Sequence, residues 1–407
     1  MSRSIKAMTT AAALALVLAG CANSSDDKKD DGGSNDASGI TQLPAQDSID
    51  VPSDAVKPAG DGNAKCSPTS LGFVGAETGP NAQLGINEIN GIQLAINEHN
   101  KANPDCQVSL KKFDTEGDPA KAVGPATKAI GDKSIIGVIG LPFSGESKAT
   151  GDLFEKAGLV HITASATGPA LTQNGWKTFF RGLGNDNVQG PAVAALAKKL
   201  GAKKVYLVQD DSEYGVGLGA TAKKALGSDL AGEDKVTTGQ KDFGSTIAKI
   251  QASKADAVFY SGYYAEGAPL DSQLVAAGFK GVFIGPDGVK DDQFIKLAGS
   301  ASSNAYFTCP CIPGELVPDF AKGYEAIAKG AAPGTYSLEA YDATTVLLSG
   351  IDKGNTDRAK LLDWVTNYDA QGFSKKFKWD STGELSDLSV YGYKVDDGKI
   401  VSVGKIG

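Results

Sequence analysis

Residues 134–164 read SIIGVIGLPFSGESKATGDLFEKAGLVHITA: a short apolar run, a segment with helical spacing, and a second short apolar run. Both runs are rich in Ile and Val and are bounded by Gly or Pro, as buried strands are. A strand, a helix and a second strand within about thirty residues form a βαβ unit, whose strands lie parallel in one sheet. This stretch predicts an α/β protein.

The same alternation extends along the chain on both sides of this unit, with segments of helical spacing between most runs. It lapses around residues 178–187, so we expect two consecutive doubly wound parallel-sheet lobes. Ligands of such lobes bind beyond the carboxyl ends of the strands, which places the expected site in a cleft between the lobes. The further apolar runs are SLGFVGA (70–76), QVSLKKF (107–113), KVYLVQD (204–210), DAVFYSG (256–262), GVFIGPD (281–287) and NAYFTC (304–309).

The amino terminus has the pattern of an export signal. Arg3 and Lys6 precede an apolar run at 11–18, and Leu-Ala-Gly-Cys at 18–21 resembles the lipobox of bacterial lipoproteins. We expect a signal peptide over residues 1–20, a lipid on Cys21, and a protein anchored to the outer face of the cytoplasmic membrane. The apolar run is shorter than the roughly 20 residues that a membrane-spanning helix needs.

Residues 21–65 are dominated by Ser, Asp, Lys, Gly and Asn, beginning with SSDDKKDDGGSNDASG at 24–39. Such a composition buries too little apolar surface to fold, so it predicts a flexible tether between the lipid and the folded body. The residues that remain are too many for one core, and their number favours two domains.

Composition also excludes several classes of partner and chemistry. The net charge is −8 and no basic block occurs, which argues against nucleic acid as a partner. The only histidines are His99 and His161, too few to complete a zinc site, and we expect neither metal nor cofactor. His161 lies inside an apolar run, as a core histidine does, and no H-E-x-x-H or G-x-S-x-G motif occurs. We therefore expect a protein that is not an enzyme.

Four cysteines remain after Cys21, an even number that favours disulfides in an exported protein. Cys66 and Cys106 each precede an apolar run; if those runs are neighbouring parallel strands, the two cysteines lie side by side. Cys309 and Cys311 could form a small-ring disulfide, remain free thiols, or belong to a redox or metal motif, and we favour a structural bridge.

The loop GLPFSGES at 140–147 has the G-x-x-x-x-G spacing of a phosphate loop, but Glu146 stands where the lysine would follow. Ser144 is a candidate N-cap at the helix start, where unpaired N–H groups favour an anion. Glu146 meets part of that demand, so a single carboxylate fits better than a phosphate. An ordinary capped helix without a ligand is the alternative.

The next apolar run ends in a second polar loop, HITASATGPALT, with hydroxyls at Ser165 and Thr167. Two adjacent strands that end in Ser/Thr-rich helix starts would form one polar floor. Farther along, Tyr214, Tyr263 and Asp287 follow the ends of three later runs. Hydroxyls and a helix start from one lobe, with tyrosines and one carboxylate from the other, fit a zwitterion. The spaced glycines at 215, 217 and 219 are only a weak dinucleotide signal, because the spacing is G-x-G-x-G.

Residues 67–407 resemble the branched-chain (leucine/isoleucine/valine) amino-acid binding proteins of bacterial ABC transporters, which have the type I periplasmic-binding fold. The resemblance rests on GFVGAETGPNAQLG, ASATGPALT, EYGVGL, YSGYYAEG, FIGPDG and KWDSTGEL, in the order and spacing of that family. It implies two lobes joined by a three-strand hinge, a fold of the Venus-flytrap kind, that close on an aliphatic L-amino acid. It also implies delivery to a permease with ATPase subunits, by a protein that we expect to be a monomer.

The resemblance assigns a role to individual residues. Ser144 and Thr167 match the residues that hold the ligand α-carboxylate, and Thr167 also contacts the ammonium. Ser165 and Ala166 match a loop that uses its main chain. The second-lobe matches are Tyr214 and Tyr263, which close over the ligand, and Asp287, which stands where the family has a glutamate facing the ammonium. The implied side-chain pocket contains Leu84, Phe143 and Tyr336.

The same resemblance places the first lobe at 67–185 and 311–389, and the second at 186–310 and 390–407. Leu84 occupies a position that is often aromatic in the family, which leaves the preferred side chain open. The alternatives that remain are the same fold binding an amide, urea or a small organic acid, and a component that presents its ligand to a separate sensor.

Overall fold

A computed structural model describes residues 40–386 and 388–406 of the chain. In this part of the chain two β-sheets form the centres of two α/β lobes. No helix in the described residues has the length and apolar character needed to cross a membrane. The predicted signal peptide and the lipidated Cys21 lie outside these residues.

The first lobe contains a five-stranded parallel sheet in the order β2-β1-β3-β4-β5. The first strand, β1, lies inside this sheet, and the later strands extend the sheet on both sides of it, as in a doubly wound fold. The strands are β1 (Thr69–Gly75), β2 (Val108–Asp114), β3 (Ile135–Gly140), β4 (His161–Thr163) and β5 (Phe179–Arg181).

The second lobe contains a seven-stranded sheet in the order β14-β13-β10-β9-β8-β6-β7. Strands β6 to β10 are parallel, whereas β13 and β14 are antiparallel additions at one edge. The strands are β6 (Val205–Gln209), β7 (Leu230–Lys235), β8 (Ala257–Ser261), β9 (Val282–Gly285), β10 (Ala305–Cys309), β13 (Tyr391–Asp396) and β14 (Lys399–Lys405); a separate hairpin contains β11 (Asp369–Gln371) and β12 (Lys376–Lys378).

Helices connect successive strands and cover the sheets. Those of the first lobe are α1 (Ala82–Ala102), α2 (Pro119–Gly131), α3 (Ser144–Ala157), α9 (Pro318–Ile327), α10 (Ser337–Asp352) and α11 (Arg358–Thr366). Those of the second lobe are α4 (Asp186–Lys199), α5 (Glu213–Leu226), α6 (Gly244–Ser253), α7 (Tyr264–Ala276) and α8 (Asp292–Ala298). Because α10 packs against α1, the first lobe combines segments that are far apart in the chain.

The chain passes between the lobes three times: between β5 and α4, after the end of β10, and before β13. The prediction of two doubly wound parallel-sheet lobes with a three-strand hinge is confirmed. All eight predicted apolar runs form strands. The strands that the pattern missed are short or polar; β7, for example, reads LAGEDK and is only partly buried.

The N-terminal strap, which we define as residues 40–65, packs against the folded body. Ile40 is 5% exposed, and the backbone N–H of Val56 donates to the carbonyl of Gln371 at 2.8 Å. The prediction of a flexible tether as far as residue 65 is therefore wrong for residues 40–65. The Ser- and Asp-rich composition obscured a few apolar side chains and a series of backbone hydrogen bonds.

Both expected cysteine pairs are joined. Cys66 and Cys106 are bonded, with their Cα atoms 4.6 Å apart, just before the parallel strands β1 and β2. Cys309 and Cys311 are bonded at the end of β10, where the chain passes between the lobes. Cys106 also lies near His99 and Asp352, but its sulfur is in the disulfide and is not available to a metal.

Removal of the Cys66–Cys106 bridge should lower the free energy of unfolding by about 4 kcal/mol, because the bridge closes a loop of about 40 residues in the unfolded chain. The Cys66→Ser/Cys106→Ser double variant, compared with the wild type by urea unfolding, tests this. Cys309→Ser/Cys311→Ser is the matched control, since its three-residue loop predicts a loss of only about 1.5 kcal/mol. Equal losses in the two variants would contradict the loop-closure explanation.

Candidate functional site

A small cavity lies between the two lobes, at the carboxyl ends of their parallel strands. Hydroxyl groups and aromatic rings make up most of its wall. The lining residues are Leu84, Pro142, Phe143, Ser144, Ser165, Tyr214, Tyr263 and Tyr336.

The start of helix α3 forms one wall of the cavity. The prediction that Ser144 is the N-cap is wrong: the helix begins at Ser144, and Phe143 precedes it. The reason is that the side chain of Glu146 accepts the Phe143 N–H at 3.3 Å and so takes over the capping role. Ser144 Oγ accepts the N–H of Gly168 at 3.0 Å, which leaves its hydroxyl proton available to a ligand. With the first N–H groups of the helix, this hydroxyl can hold one carboxylate.

Ser165 lies on the same floor but is already engaged within the lobe. Its hydroxyl lies 2.8 Å from the carbonyl of Pro142 and also contacts the carboxyl of Glu88. Burial raises the pKa of Glu88 to about 8, so this carboxyl is mostly protonated at neutral pH. Ser165 therefore lies beside the cavity, but its hydroxyl is already hydrogen-bonded within the lobe.

Arg181 fixes the loop that carries the predicted residues Ala166 and Thr167. Its guanidinium is fully buried and donates to the carbonyls of Ala166 and of Gly168, the latter at 3.1 Å. A bidentate ion pair at 3.0 Å with Glu384 holds the guanidinium in place. Because planar Arg pairs of this kind define geometry as well as charge, Arg181 is a positioning residue for this loop.

Ala166 and Thr167 do not line the cavity. Ala166 packs in a small apolar cluster, its N–H donates to Thr163 Oγ1 at 2.9 Å, and its carbonyl contacts Arg181. The hydroxyl of Thr167 is buried and has no well-formed hydrogen bond among the described residues. It lies beside the carboxyl of Asp186, and this contact acts against the rise that burial causes in the pKa of that carboxyl. The roles of both residues remain predictions.

Asp287 is fully buried directly behind the aromatic wall of the second lobe. Its carboxylate accepts hydrogen bonds from the hydroxyl of Tyr214, from Gln189 Nε2 at 2.7 Å and from Tyr336 Oη at 2.9 Å. Burial raises the pKa of Asp287, and these three donors act in the opposite direction. The Tyr336 bond comes from the first lobe, so Asp287 also links the two lobes.

A second buried carboxylate, that of Asp186, adjoins the first. Its N–H donates to the carbonyl of Thr167 at 3.0 Å, and neither of its carboxylate oxygens has a well-formed hydrogen bond among the described residues. Burial raises the pKa of Asp186 well above its ordinary value, and the nearby charge of Asp287 raises it further. Two carboxyl groups that are mutually unfavourable when charged are stabilised together by a cation.

Aromatic rings from both lobes close over the cavity. Tyr263 packs edge-on against Phe143 of the other lobe at 5.1 Å between ring centroids, and against Tyr214 at the same separation. Tyr336 has a backbone φ of 70°, in the left-handed region that a bulky residue rarely adopts. This conformation directs its hydroxyl to Asp287, and strained residues of this kind concentrate at binding sites.

Direct contacts between the lobes show that the structure is the closed form. Asn87 Nδ2 in α1 donates to Asp291 Oδ2 of the second lobe at 2.9 Å, with both side chains buried. At the surface, Lys148 and Glu213 form an ion pair at 2.9 Å.

Seven of the eight cavity-lining residues, all but Pro142, were singled out from the sequence, and their roles remain predictions. Three ionisable side chains behind them were not singled out. The side chains of Glu88, Arg181 and Asp186 are buried and ionisable, but they lie inside helices or at strand ends with no recognisable motif. The sequence signal that could have identified such residues is an ionisable side chain next to apolar ones; Arg181, for example, follows Phe179 and Phe180.

His161 and the spaced glycines lie outside the cavity lining. His161 is buried between Phe154 and Phe179, and burial lowers its pKa to about 3, so it is a neutral core residue. The glycines at 215, 217 and 219 lie within helix α5 and not in a nucleotide-binding loop. A side chain at Gly215 would meet Asp210 and the carbonyl of Ser261, so this glycine allows the helix to approach the strand ends.

Comparisons with known proteins agree with this architecture. A family model described as periplasmic binding protein matches residues 68–399. The leucine-, isoleucine-, valine-, threonine-, and alanine-binding protein of Pseudomonas aeruginosa is 31% identical over 336 residues, which cover 80% of this chain and 90% of that protein.

Solved structures show the same likeness. The branched-chain amino acid transporter substrate binding protein LivJ of Streptococcus pneumoniae, in complex with isoleucine, has 25% identity and a TM-score of 0.76 over 82% of this chain and 98% of its own. A solute binding protein of an ABC transporter from R. palustris, in complex with benzoate, has a TM-score of 0.75 over 84% of this chain and 97% of its own. At 21% identity that likeness is one of fold.

Proposed function

This chain belongs to the periplasmic binding protein family, a family of solute-binding proteins, and we propose that it captures an aliphatic, branched-chain L-amino acid for an ABC importer. The observation that carries the proposal is the pair of opposite walls at the cavity. A helix start with the Ser144 hydroxyl faces it from one lobe, and the buried carboxyls of Asp186 and Asp287 lie behind the other. An α-amino acid has the complementary charges at one carbon atom.

The lobes close because the ligand binds the closed form more tightly than the open form. The ligand carboxylate rests on the first lobe, and its ammonium reaches the second lobe only when the lobes are together. A ligand that contacts both lobes in one state shifts the population toward that state. The ammonium also neutralises two carboxyl groups whose burial disfavours their charged forms.

An aliphatic side chain fits the remaining part of the wall. Leu84, Phe143 and Tyr336 supply apolar surface without a charged group. The Pseudomonas aeruginosa relative named above binds leucine, isoleucine, valine, threonine and alanine according to its name, and most of these side chains are aliphatic, in keeping with an apolar pocket.

A small aromatic carboxylate is the second candidate ligand, because the cavity has four aromatic rings in its wall. Such a ligand would occupy the carboxylate floor in the same way. It would leave the carboxyl groups of Asp186 and Asp287 without a cation, which is why we favour the amino acid.

We further propose that the protein is an exported monomer, attached through a lipid on Cys21 to the outer face of the cytoplasmic membrane, and that it delivers its ligand to a permease with ATPase subunits. The signal-like residues 1–20 and the Leu-Ala-Gly-Cys sequence support the lipid anchor. Metabolic labelling with a radioactive fatty acid would test that part. We expect the label to be incorporated into the wild type and not into Cys21→Ser.

Calorimetry on protein that has been unfolded and refolded to remove carried-over ligand tests the proposed ligand. The panel contains L-leucine, L-isoleucine, L-valine, L-threonine, L-alanine, benzoate and acetamide. We expect the branched-chain amino acids to bind most tightly and to raise the melting temperature, since ligand at a thousandfold excess over Kd adds about 4 kcal/mol of stability. Tight binding of benzoate or acetamide alone would contradict the proposal.

Ser144→Ala should weaken binding of L-isoleucine about tenfold to a hundredfold, because it removes a hydrogen bond to a charged carboxylate. Calorimetry measures the loss. Ser147→Ala is the matched control: Ser147 lies in the same helix, and its hydroxyl donates to the carbonyl of Leu141 at 3.1 Å, away from the cavity. Equal losses in both variants would show that Ser144 acts on the helix and not on the ligand.

A further inference from the structure

The N-terminal strap lies outside the region that the family model matches, which begins at residue 68. Its first part is bound to the second lobe. The Thr41 N–H donates to the carbonyl of Leu200 at 3.0 Å, and Tyr306 Oη donates to Gln42 Oε1 at 3.2 Å. Ile40 packs in the hydrophobic cluster that contains helix α4.

Gln46 completes the attachment to the second lobe through two bonds to one residue of the edge strand β14. Its N–H donates to the carbonyl of Ser402 at 2.7 Å, and its side-chain oxygen accepts the Ser402 hydroxyl at 2.8 Å. An edge strand has unpaired backbone groups, and this part of the strap meets one of them.

The second part of the strap is bound to the first lobe. Val56 N–H donates to Gln371 in the β11–β12 hairpin, and the carbonyl of Ala59 accepts Asn103 Nδ2 at 3.1 Å. Ala64 N–H donates to Asn103 Oδ1 at 3.0 Å. The disulfide from Cys66 to Cys106 then joins the end of the strap covalently to this lobe.

The contact between the strap and Leu200 lies far from the hinge, so a rotation of the second lobe displaces it by a large distance. Helix α4 begins beside the first passage between the lobes and ends at Lys199, so Leu200 lies about 21 Å away along the helix. A rotation of the second lobe about the three passages moves this point much more than it moves the hinge. The strap residues between the two attachments are not slack, because Ile49 and Ala55 pack against the core.

From this double attachment we infer that the strap is a fourth connection between the lobes, and that it restrains their opening. Opening must either stretch residues 47–55 or detach residues 40–46 from the second lobe. The strap therefore favours the closed form in the absence of ligand. Where ligand affinity depends on the fraction of closed molecules, release of the strap weakens binding; that part rests on the proposed function.

Gln46→Pro in the full chain tests the inference, because proline removes the N–H that donates to Ser402. Ser48→Pro is the matched control: it introduces the same residue two positions later, at an exposed site between the attachments. Small-angle X-ray scattering of the ligand-free proteins measures the radius of gyration, and calorimetry with L-isoleucine measures affinity. Circular dichroism confirms that each variant is folded.

We expect a larger ligand-free radius of gyration for Gln46→Pro than for the wild type or Ser48→Pro, and a Kd for L-isoleucine about tenfold higher. If Gln46→Pro fails to fold, Tyr306→Phe, which removes the hydrogen bond from Tyr306 Oη to Gln42 Oε1, serves for the same comparison. An equal radius of gyration in all proteins would overturn the inference, whatever the affinities. If the wild type does not bind L-isoleucine, the proposed ligand is wrong, but the scattering comparison still decides the role of the strap.

Discussion

Asp287→Asn should weaken binding of L-isoleucine about a hundredfold to a thousandfold, as calorimetry would measure. Asparagine keeps the size of the side chain and its place beside Tyr214 and Tyr336, but it carries no charge for the ligand ammonium. The loss is large because the site is buried, so that water cannot replace the missing interaction.

A ligand analogue distinguishes this role from a structural one. 3-Methylpentanoate has the carbon skeleton and carboxylate of isoleucine but no ammonium, so Asp287→Asn should not weaken its binding. Asp271→Asn is the matched control variant, since it makes the same change in the interior of the second lobe, on helix α7. Equal losses for L-isoleucine and for 3-methylpentanoate would mean that Asp287 supports the aromatic wall and does not bind the ammonium.

Asp271→Asn should itself raise the free energy of unfolding at pH 7, by up to about 4 kcal/mol. Asp271 is fully buried, and neither of its carboxylate oxygens has a hydrogen bond among the described residues. Burial raises its pKa from 3.8 to about 8. At pH 7 the unfolded chain carries a charged aspartate, whereas the folded protein has taken up a proton. This uptake costs roughly 1.4 kcal/mol for each of about three pH units, a cost that the neutral asparagine does not have.

The difference in unfolding free energy between Asp271→Asn and the wild type depends on pH. Because the folded-state pKa is raised, the contribution of Asp271 to stability is fully present below pH 4 and is lost as the pH rises to about 8. Urea unfolding at pH 5 and pH 8 should therefore show a gap between variant and wild type that grows with pH. The exposed Asp229→Asn serves as the control and should change neither value. A gap that stays constant between the two pH values would contradict this account.

The alternation of strands and helices could be predicted from sequence because it depends on local pattern. A run such as SIIGVIG is buried on both faces of a parallel sheet, so nearly all of its residues are apolar. The small polar residues at the strand ends were visible for the same reason. Strand β7 and the hairpin of β11 and β12 carry polar residues because they are short or lie at edges, and their pattern resembles that of loops.

The rest of the site depends on contacts between distant parts of the chain, which local pattern does not report. Arg181 is recognisable as a positioning residue only when Glu384 is seen beside it, about two hundred residues later. The same holds for the pairing of Asp186 with Asp287. The strap was missed because its stability comes from backbone bonds to Leu200, Ser402 and Gln371, and composition does not reveal such bonds.

The order in which the chain contributes to its two sheets constrains how the molecule can be made. The second sheet receives β13 and β14 from residues 391–405, although β6 was synthesised almost two hundred residues earlier. The first lobe needs α10, which follows most of the second lobe in sequence. Each half therefore depends on segments that are synthesised long after its first strands, and neither sheet with its covering helices is complete until those distant segments have been made.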